Sequence, residues 1–177
     1  MSPGRTAHTL LLLRHAKSSW VDPTLPDHDR PLASRGRRDA KRIAKHLAGL
    51  ELELELEPEL VLCSSAVRTR ETLELVRPAL ANSKVLFEDG LYGASSDELL
   101  ARIRVVPDAV GSVMLIGHNP GLEQLALLLA SSGDELRLLE TKFPTAALAT
   151  LAVETTWSRL APGDAILTAY IVPKQLR

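Results

Sequence analysis

Short apolar runs alternate with longer amphipathic segments along this chain of 177 residues. The runs Thr9–Leu13 and Ser112–Ile116 are apolar at nearly every position, which is typical of strands buried on both faces of a parallel sheet. Their alternation with helical segments predicts an α/β fold with helices on both faces of the sheet. The predicted strands are Thr9–Leu13, Leu60–Cys63, Lys84–Phe87, Ser112–Ile116, Ala146–Val153 and Ala165–Val172.

The segments between these strands include four with helical periodicity. Ser34 is the predicted N-cap of the first helix, and Gly49 is its predicted stop. Ser95 or Ser96 is predicted to cap the third helix. The predicted helices are Arg35–Ala48, Ala66–Leu80, Asp97–Val105 and Leu122–Ala130.

A strict alternation of glutamate and leucine occupies Glu51–Glu57 and is followed by Pro58. A period of two is typical of a strand with one charged face, whereas Glu and Leu individually favour helix. We interpret this segment as an edge strand or an extended connector. An acidic docking face is the functional alternative.

Composition narrows the class of protein. We expect a single domain over residues 1–177. A net charge of −1 and an aromatic content of 3% give no indication of a nucleic-acid partner or an anionic membrane surface. With so little net charge, any anionic ligand must be bound by a local group of cations. The sequence does not indicate an oligomeric state beyond a monomer or weak oligomer.

The expected location is the cytoplasm. No apolar run approaches the ~18 residues that a membrane span needs. The residues Met1–His8 carry too little charge and apolar length for a signal peptide. The single cysteine, Cys63, follows an apolar run, which indicates a buried thiol rather than a nucleophile.

Polar side chains follow three of the predicted strands. Arg14 and His15 end the first, Ser64-Ser65 leads from the second to Arg68, and His118 lies in a Gly-rich turn after the fourth. Taken singly, each of these features has an ordinary structural explanation. Arg14 and His15 can end a strand in solvent, Arg68 can be a surface arginine, and His118 can be a turn residue. Because ligands of open α/β sheets bind at the carboxyl ends of strands, the three together predict one site.

The chemistry of these groups points to a phosphoryl ligand. Arginines are planar donors for phosphate, and a helix N-terminus adds backbone N–H groups. One histidine can attack phosphorus and carry the phosphoryl group, while the other stabilises charge on its oxygens. Neither role needs a metal or a cofactor. The carboxylates of the loop before Arg30, at Asp22, Asp27 and Asp29, lack metal-ligand spacing.

These motifs resemble the histidine phosphatase superfamily, and the likeness covers Thr9 to Val172. Ala16 occupies a position where many members, including phosphoglycerate mutases, carry glycine. That form is similar to the SixA-type branch, the phosphohistidine phosphatases. The segments that carry the resemblance are Leu12–Ser18, Asp29–Leu32, Arg35–Ala40, Ser64–Thr72, Leu91–Ser95 and Gly117–Pro120.

The resemblance implies a three-layer αβα fold with a mixed, mostly parallel sheet, as in phosphoglycerate mutases. It makes His15 the nucleophile that becomes phosphorylated, with Arg14, Arg68 and His118 completing the phosphate pocket. It also implies that the Ser18 hydroxyl contributes to that pocket.

The general acid is the point where this sequence departs from the family pattern. Many members carry a mid-chain carboxylic acid that protonates the leaving oxygen. Glu88 and Asp89 lie near that region, but no motif fixes either, and a surface role is the alternative for Glu88. A phosphoramidate needs less help, because its leaving nitrogen is protonated more readily than an alkoxide. The departure therefore fits a phosphohistidine substrate.

The expected function is a metal-independent phosphatase that acts on protein phosphohistidine through a phosphohistidine intermediate. A small-molecule phosphomonoesterase or mutase-like enzyme is the alternative within enzymes. A catalytically silent phosphate-binding module is the alternative from another class. Outside the site, the basic run Arg35–Arg42 is interpreted as a solvated face.

Overall fold

The computed structural model describes residues 8–176. Within these residues seven strands form one sheet, namely β1 (His8–Arg14), β2 (Leu60–Ser64), β3 (Lys84–Glu88), β4 (Ser112–Gly117), β5 (Ala130–Ser132), β6 (Leu148–Val153) and β7 (Ala165–Ile171). Their order across the sheet is β3-β2-β4-β1-β6-β7-β5.

The sheet is mixed and mostly parallel, as predicted. Strand β4 pairs in parallel with β1 and β2, β2 with β3, and β5 with β7. Strand β6 runs antiparallel to both β1 and β7. The carboxyl ends of β1, β2 and β4 therefore meet at one edge, which the amino end of β6 shares because Leu148 lies opposite Leu13.

Helices cover both faces and give the predicted three layers. Leu10 and Leu12 of β1 belong to a core with the helices α3 and α4, whereas Leu11 and Leu13 belong to a second core with α1 and α2. All four leucines have no exposed surface, which explains why the run is uniformly apolar. The helices are α1 (Ser34–Leu54), α2 (Val67–Val76), α3 (Ser96–Arg104), α4 (Gly121–Leu129) and α5 (Leu136–Thr141).

The interpretation of Glu51–Glu57 as a strand or extended connector is wrong for its first half. Helix α1 continues past Gly49 to Leu54, so the predicted stop at Gly49 is also wrong. Leu52 and Leu54 are 82% and 66% exposed, so no buried face enforces the period of two, and the helix propensity of Glu and Leu decides the structure. The helix ends at Leu54, and Glu55 caps it with a left-handed φ of 52° before the chain leaves the helix toward Pro58.

The start of α1 is fixed by the segment that follows His15. Ala33, not the predicted Ser34, is the N-cap, and no side chain caps it. The Ala33 N–H donates to the Lys17 carbonyl oxygen, and a Cβ at Gly36 would collide with that same oxygen. Close backbone packing thus replaces a side-chain cap, and it places the first turn of α1 beside the site.

The other helix boundaries follow local signals. Ser95 caps α3 in a capping box with Glu98, as predicted. Helix α2 ends at Val76 and continues as a short 3-10 turn, because Pro78 lacks the N–H that an α-helix would use. Strand β5 and helix α5 were not predicted.

No helix among residues 8–176 is long and apolar enough to cross a membrane. Most of the amino-terminal segment that bears on the signal-peptide expectation lies outside the described residues.

Candidate active site

His15 and His118 face each other where β1 and β4 end. Arg14 pairs with Gly117 in the sheet, and the His15 N–H donates to the Gly117 carbonyl oxygen at 3.1 Å. The centroids of the two imidazole rings are 5.2 Å apart. The two residues are only 7% and 9% exposed, so the strand register brings two largely buried imidazoles together.

The orientation of His15 follows from one hydrogen bond. Its Nδ1 lies 2.8 Å from the Ala16 carbonyl oxygen. Because a carbonyl oxygen can only accept, Nδ1 carries the proton. In the neutral ring Nε2 therefore bears the lone pair, and His15 presents a nucleophilic nitrogen.

His118 and Arg14 each hold a buried polar atom that has no partner among the described residues. His118 Nε2 lies 2.7 Å from Ser64 Oγ at the end of β2, while its Nδ1 is without a hydrogen bond. Arg14 Nη1 donates to the Phe143 carbonyl oxygen at 3.0 Å, while its Nε is without one. Buried polar atoms are normally paired, so these two point to a ligand with acceptor and donor capacity.

Arg68 lies in the first turn of α2 and reaches the loop before Arg30. Its Nη1 donates to the Asp27 carbonyl oxygen at 2.7 Å, and its Nη2 donates to Asp27 Oδ2 at 2.9 Å. The Tyr92 hydroxyl donates to the same Oδ2 at 2.6 Å, and the Tyr92 ring meets His118 edge-on. The bond from Tyr92 and the Arg68 guanidinium hold the pKa of the Asp27 carboxyl far below its usual range, so Asp27 is ionised.

The Ser18 hydroxyl bonds to Arg30 and not to the imidazole of His15 or His118. Its Oγ accepts a hydrogen bond of 2.6 Å from Arg30, which also donates to Asp27 Oδ1 at 3.0 Å. Arg30 itself is 5% exposed and lies under the ring of Trp20. The structure thus links Ser18 to the pocket through Arg30 and Asp27.

Glu88 does not join the residues around His15 and His118. Both of its carboxylate oxygens accept hydrogen bonds from Arg102, at 2.7 and 2.8 Å. This bidentate pair joins β3 to α3 and occupies both carboxylate oxygens, so Glu88 is not free to reach a leaving group as a general acid. Asp89 begins a short 3-10 turn and receives the Tyr92 N–H on its backbone carbonyl.

A model of the histidine phosphatase superfamily (branch 1) matches residues 10–95. A structure from Nakamurella multipartitia, provisionally assigned as the phosphohistidine phosphatase SixA, is 30% identical, with a TM-score of 0.77 over 94% of this chain and 96% of that one.

The chain belongs to the histidine phosphatase superfamily.

The phosphatase also has curated relatives along nearly its whole length. An uncharacterized protein of Mycobacterium tuberculosis strain H37Rv is 38% identical over 92% of this chain and 100% of its own length. A phosphoglycerate mutase structure from Plasmodium falciparum shares the fold, with a TM-score of 0.61 at 12% identity over 92% of this chain and 89% of that one. The predicted membership of the SixA-type branch and the phosphoglycerate mutase-like fold are both confirmed.

Burial keeps both imidazoles of this phosphatase neutral. It lowers the pKa of His15 to about 3, partly opposed by the hydrogen bond to Ala16 and assisted by the positive charges of Arg68 and Arg14. It lowers the pKa of His118 to about 4, with Arg68 as the next cause. Burial also raises the pKa of Cys63 to about 12, which agrees with the predicted inert thiol in β2.

We expect the rings of His15 and His118 to stay neutral in the free protein from about pH 8 down to about pH 5. Their pKa values lie below the ordinary 6.5, so protons bind only as the pH falls toward 3 to 4. Unfolded histidines bind protons already near pH 6.5, so the free energy of unfolding should fall as the pH decreases below that value. NMR titration of the imidazoles, assigned with His15→Ala and His118→Ala, checks this. A site ring that titrates at 6.5 or above would contradict it.

Sequence reasoning missed several residues of this phosphatase. The Asp27 carboxylate accepts hydrogen bonds from Arg30, Arg68 and Tyr92. The sequence predicts no site role for Asp27, Arg30 or Tyr92. Arg30 and Tyr92 lie within segments that carry the family resemblance, which is the signal that could have found them. The sequence places Ser64 only at the exit of a strand, and the structure adds that its hydroxyl bonds to His118.

Proposed function

We propose that this phosphatase removes phosphoryl groups from phosphohistidine in proteins, without a metal ion, through a phosphorylated His15. The observation that carries the proposal is the bond from His15 Nδ1 to Ala16, because it leaves Nε2 as a neutral nucleophile beside His118, Arg14 and Arg68. The structure from Nakamurella multipartitia that is provisionally assigned as SixA has the same fold and belongs to the same branch. This similarity supports phosphohistidine as the substrate class.

In the first step, His15 Nε2 attacks phosphorus and forms a new N–P bond. The N–P bond of the substrate breaks, and its electron pair returns to the leaving imidazole. A phosphohistidine protonated on its other ring nitrogen leaves as neutral imidazole, so no buried acid has to protonate the bridging atom. This agrees with the pairing of Glu88 with Arg102 and with the ionised state of Asp27.

In the second step, water attacks phosphorus and the bond to His15 breaks, giving inorganic phosphate and the neutral imidazole. The equatorial oxygens carry the developing charge in both steps. The guanidinium groups of Arg14 and Arg68 supply fixed positive charge there, and His118 supplies a hydrogen-bond donor. These side chains fill the role that a metal ion has in other phosphatases.

We expect the purified protein to hydrolyse phosphoramidate and a phosphohistidine peptide, with rates unchanged by a chelator. An alkyl phosphate should be turned over far more slowly, because its leaving oxygen needs a proton that neither the Arg102-paired Glu88 nor the ionised Asp27 supplies. The measurement is release of inorganic phosphate from each compound, with an aryl phosphate of good leaving group for comparison. No turnover of any of them would indicate a silent binding module. A preference for the alkyl phosphate would indicate a phosphomonoesterase, and loss on chelation would contradict the metal-free mechanism.

A further inference from the structure

Three separate chain segments place five cations around one cavity of about 340 Å³. The cations are Arg35, Arg38 and Arg42 of α1, Lys142 after α5, and Lys174 after β7. A second cavity of about 360 Å³ shares Arg42 and adds Lys41, Lys45 and His46. We call the two cavities together the basic groove.

The groove follows one face of α1. Positions 35, 38, 42 and 45 recur at intervals of three or four residues, so their side chains share a face over about 15 Å of helix. A polypeptide of about five extended residues, or two to three turns of helix, has this length.

The groove carries an excess of positive charge. Its one lining carboxylate, Asp39, is 6% exposed and lies between Arg35 at 3.7 Å and Arg42 at 3.3 Å. No carboxylate within residues 8–176 forms an ion pair with Arg38, Lys142 or Lys174. Since the whole chain has a net charge of −1, this is a local concentration of cations rather than a general basic character.

The groove adjoins the active site. Its wall at Lys142 and Pro144 flanks Phe143, whose carbonyl oxygen accepts from Arg14. The first turn of α1 packs on the backbone of Lys17, two residues beyond His15. A partner that lies in the groove therefore passes beside the phosphoryl pocket.

We propose that the basic groove docks an acidic segment of the protein whose phosphohistidine is hydrolysed. The proposal rests on the proposed function and deepens it by naming the feature that the substrate protein carries. Guanidinium groups bind carboxylates through paired N–H donors, and three of the five cations around the first cavity are arginines. The described lining residues include no Phe, Tyr or Trp on which a nucleic-acid base would stack, so a polypeptide is the better match.

The test compares two phosphohistidine peptides that differ only in a neighbouring tract of about five residues, glutamates in one and glutamines in the other. For the wild type we expect kcat/KM to be roughly tenfold higher for the glutamate peptide at low salt, with the ratio falling toward one at high salt. Arg38→Glu/Lys174→Glu should reduce the ratio to about one. The ratio divides out any general loss of activity in that variant.

The matched control is Lys84→Glu/Arg159→Glu, which makes the same change in net charge at exposed positions on other parts of the surface and should keep the ratio. Equal kcat/KM for the two peptides in the wild type would overturn the proposal. Anisotropy of a labelled, unphosphorylated glutamate peptide measures docking without catalysis. Binding that is lost in Arg38→Glu/Lys174→Glu supports the groove even if phosphatase activity fails. Tighter binding of a single-stranded oligonucleotide would overturn the choice of a polypeptide.

Discussion

Replacing His15 by alanine should abolish turnover, with kcat on phosphoramidate falling by at least about 10⁴-fold. The variant loses the nucleophile itself, the Nε2 atom whose lone pair is set by the bond of Nδ1 to the Ala16 carbonyl oxygen. The ring of His15 is almost fully buried, so circular dichroism and a thermal melt should accompany the kinetics to show that the variant is folded.

Trapping of the intermediate makes this test specific. Wild-type protein mixed with labelled substrate and quenched in alkali should carry label in an acid-labile form, as expected for an N–P bond. His118→Ala should turn over slowly yet still take up label, because it keeps the phosphoryl acceptor. Label on His15→Ala, or residual turnover above a few per cent, would refute the assignment of His15.

Arg68→Lys should lower kcat/KM by about 10²-fold, with KM raised and kcat reduced together. The structure shows both outer nitrogens of Arg68 donating to Asp27, and the same pair can bridge two oxygens of a phosphoryl group. A lysine ammonium is a single point charge and cannot reproduce this arrangement. Steady-state kinetics on phosphoramidate measures both constants.

Arg77→Lys is the matched control for this change. Arg77 follows the same helix α2, is exposed, and pairs only with Glu74 among the described side chains. It should leave both constants within about twofold of the wild type. An unchanged KM in Arg68→Lys would remove Arg68 from substrate binding, and equal losses in the two variants would point to a general effect of charge.

The sequence was informative wherever burial constrains it. Leu10–Leu13 is apolar at every position because each side chain faces a core, and the polar residue that ends such a run marks the edge of the sheet. Arg14, His15 and His118 could be found from this rule alone. The grouping of Arg68 with them needed the further assumption that α2 begins at the same edge.

The contacts of Asp27 could not be predicted in this way. It lies in a loop without periodicity, and its partners Arg30, Arg68 and Tyr92 come from three parts of the chain. The interpretation of Glu51–Glu57 as a strand or connector is wrong for the opposite reason. The pattern of this segment is regular, but Leu52 and Leu54 are mostly exposed, so no buried face enforces a period of two. Local helix propensity then decided the conformation.

Asp27 engages Nη1 and Nη2 of Arg68 with one hydrogen bond each, although each of these nitrogens carries two N–H groups. In the proposed mechanism a phosphoryl group can therefore use the remaining N–H groups while Asp27 keeps the guanidinium in place. The ionised Asp27 carboxylate also repels a phosphoryl group bound beside it, which favours release of inorganic phosphate over tight retention.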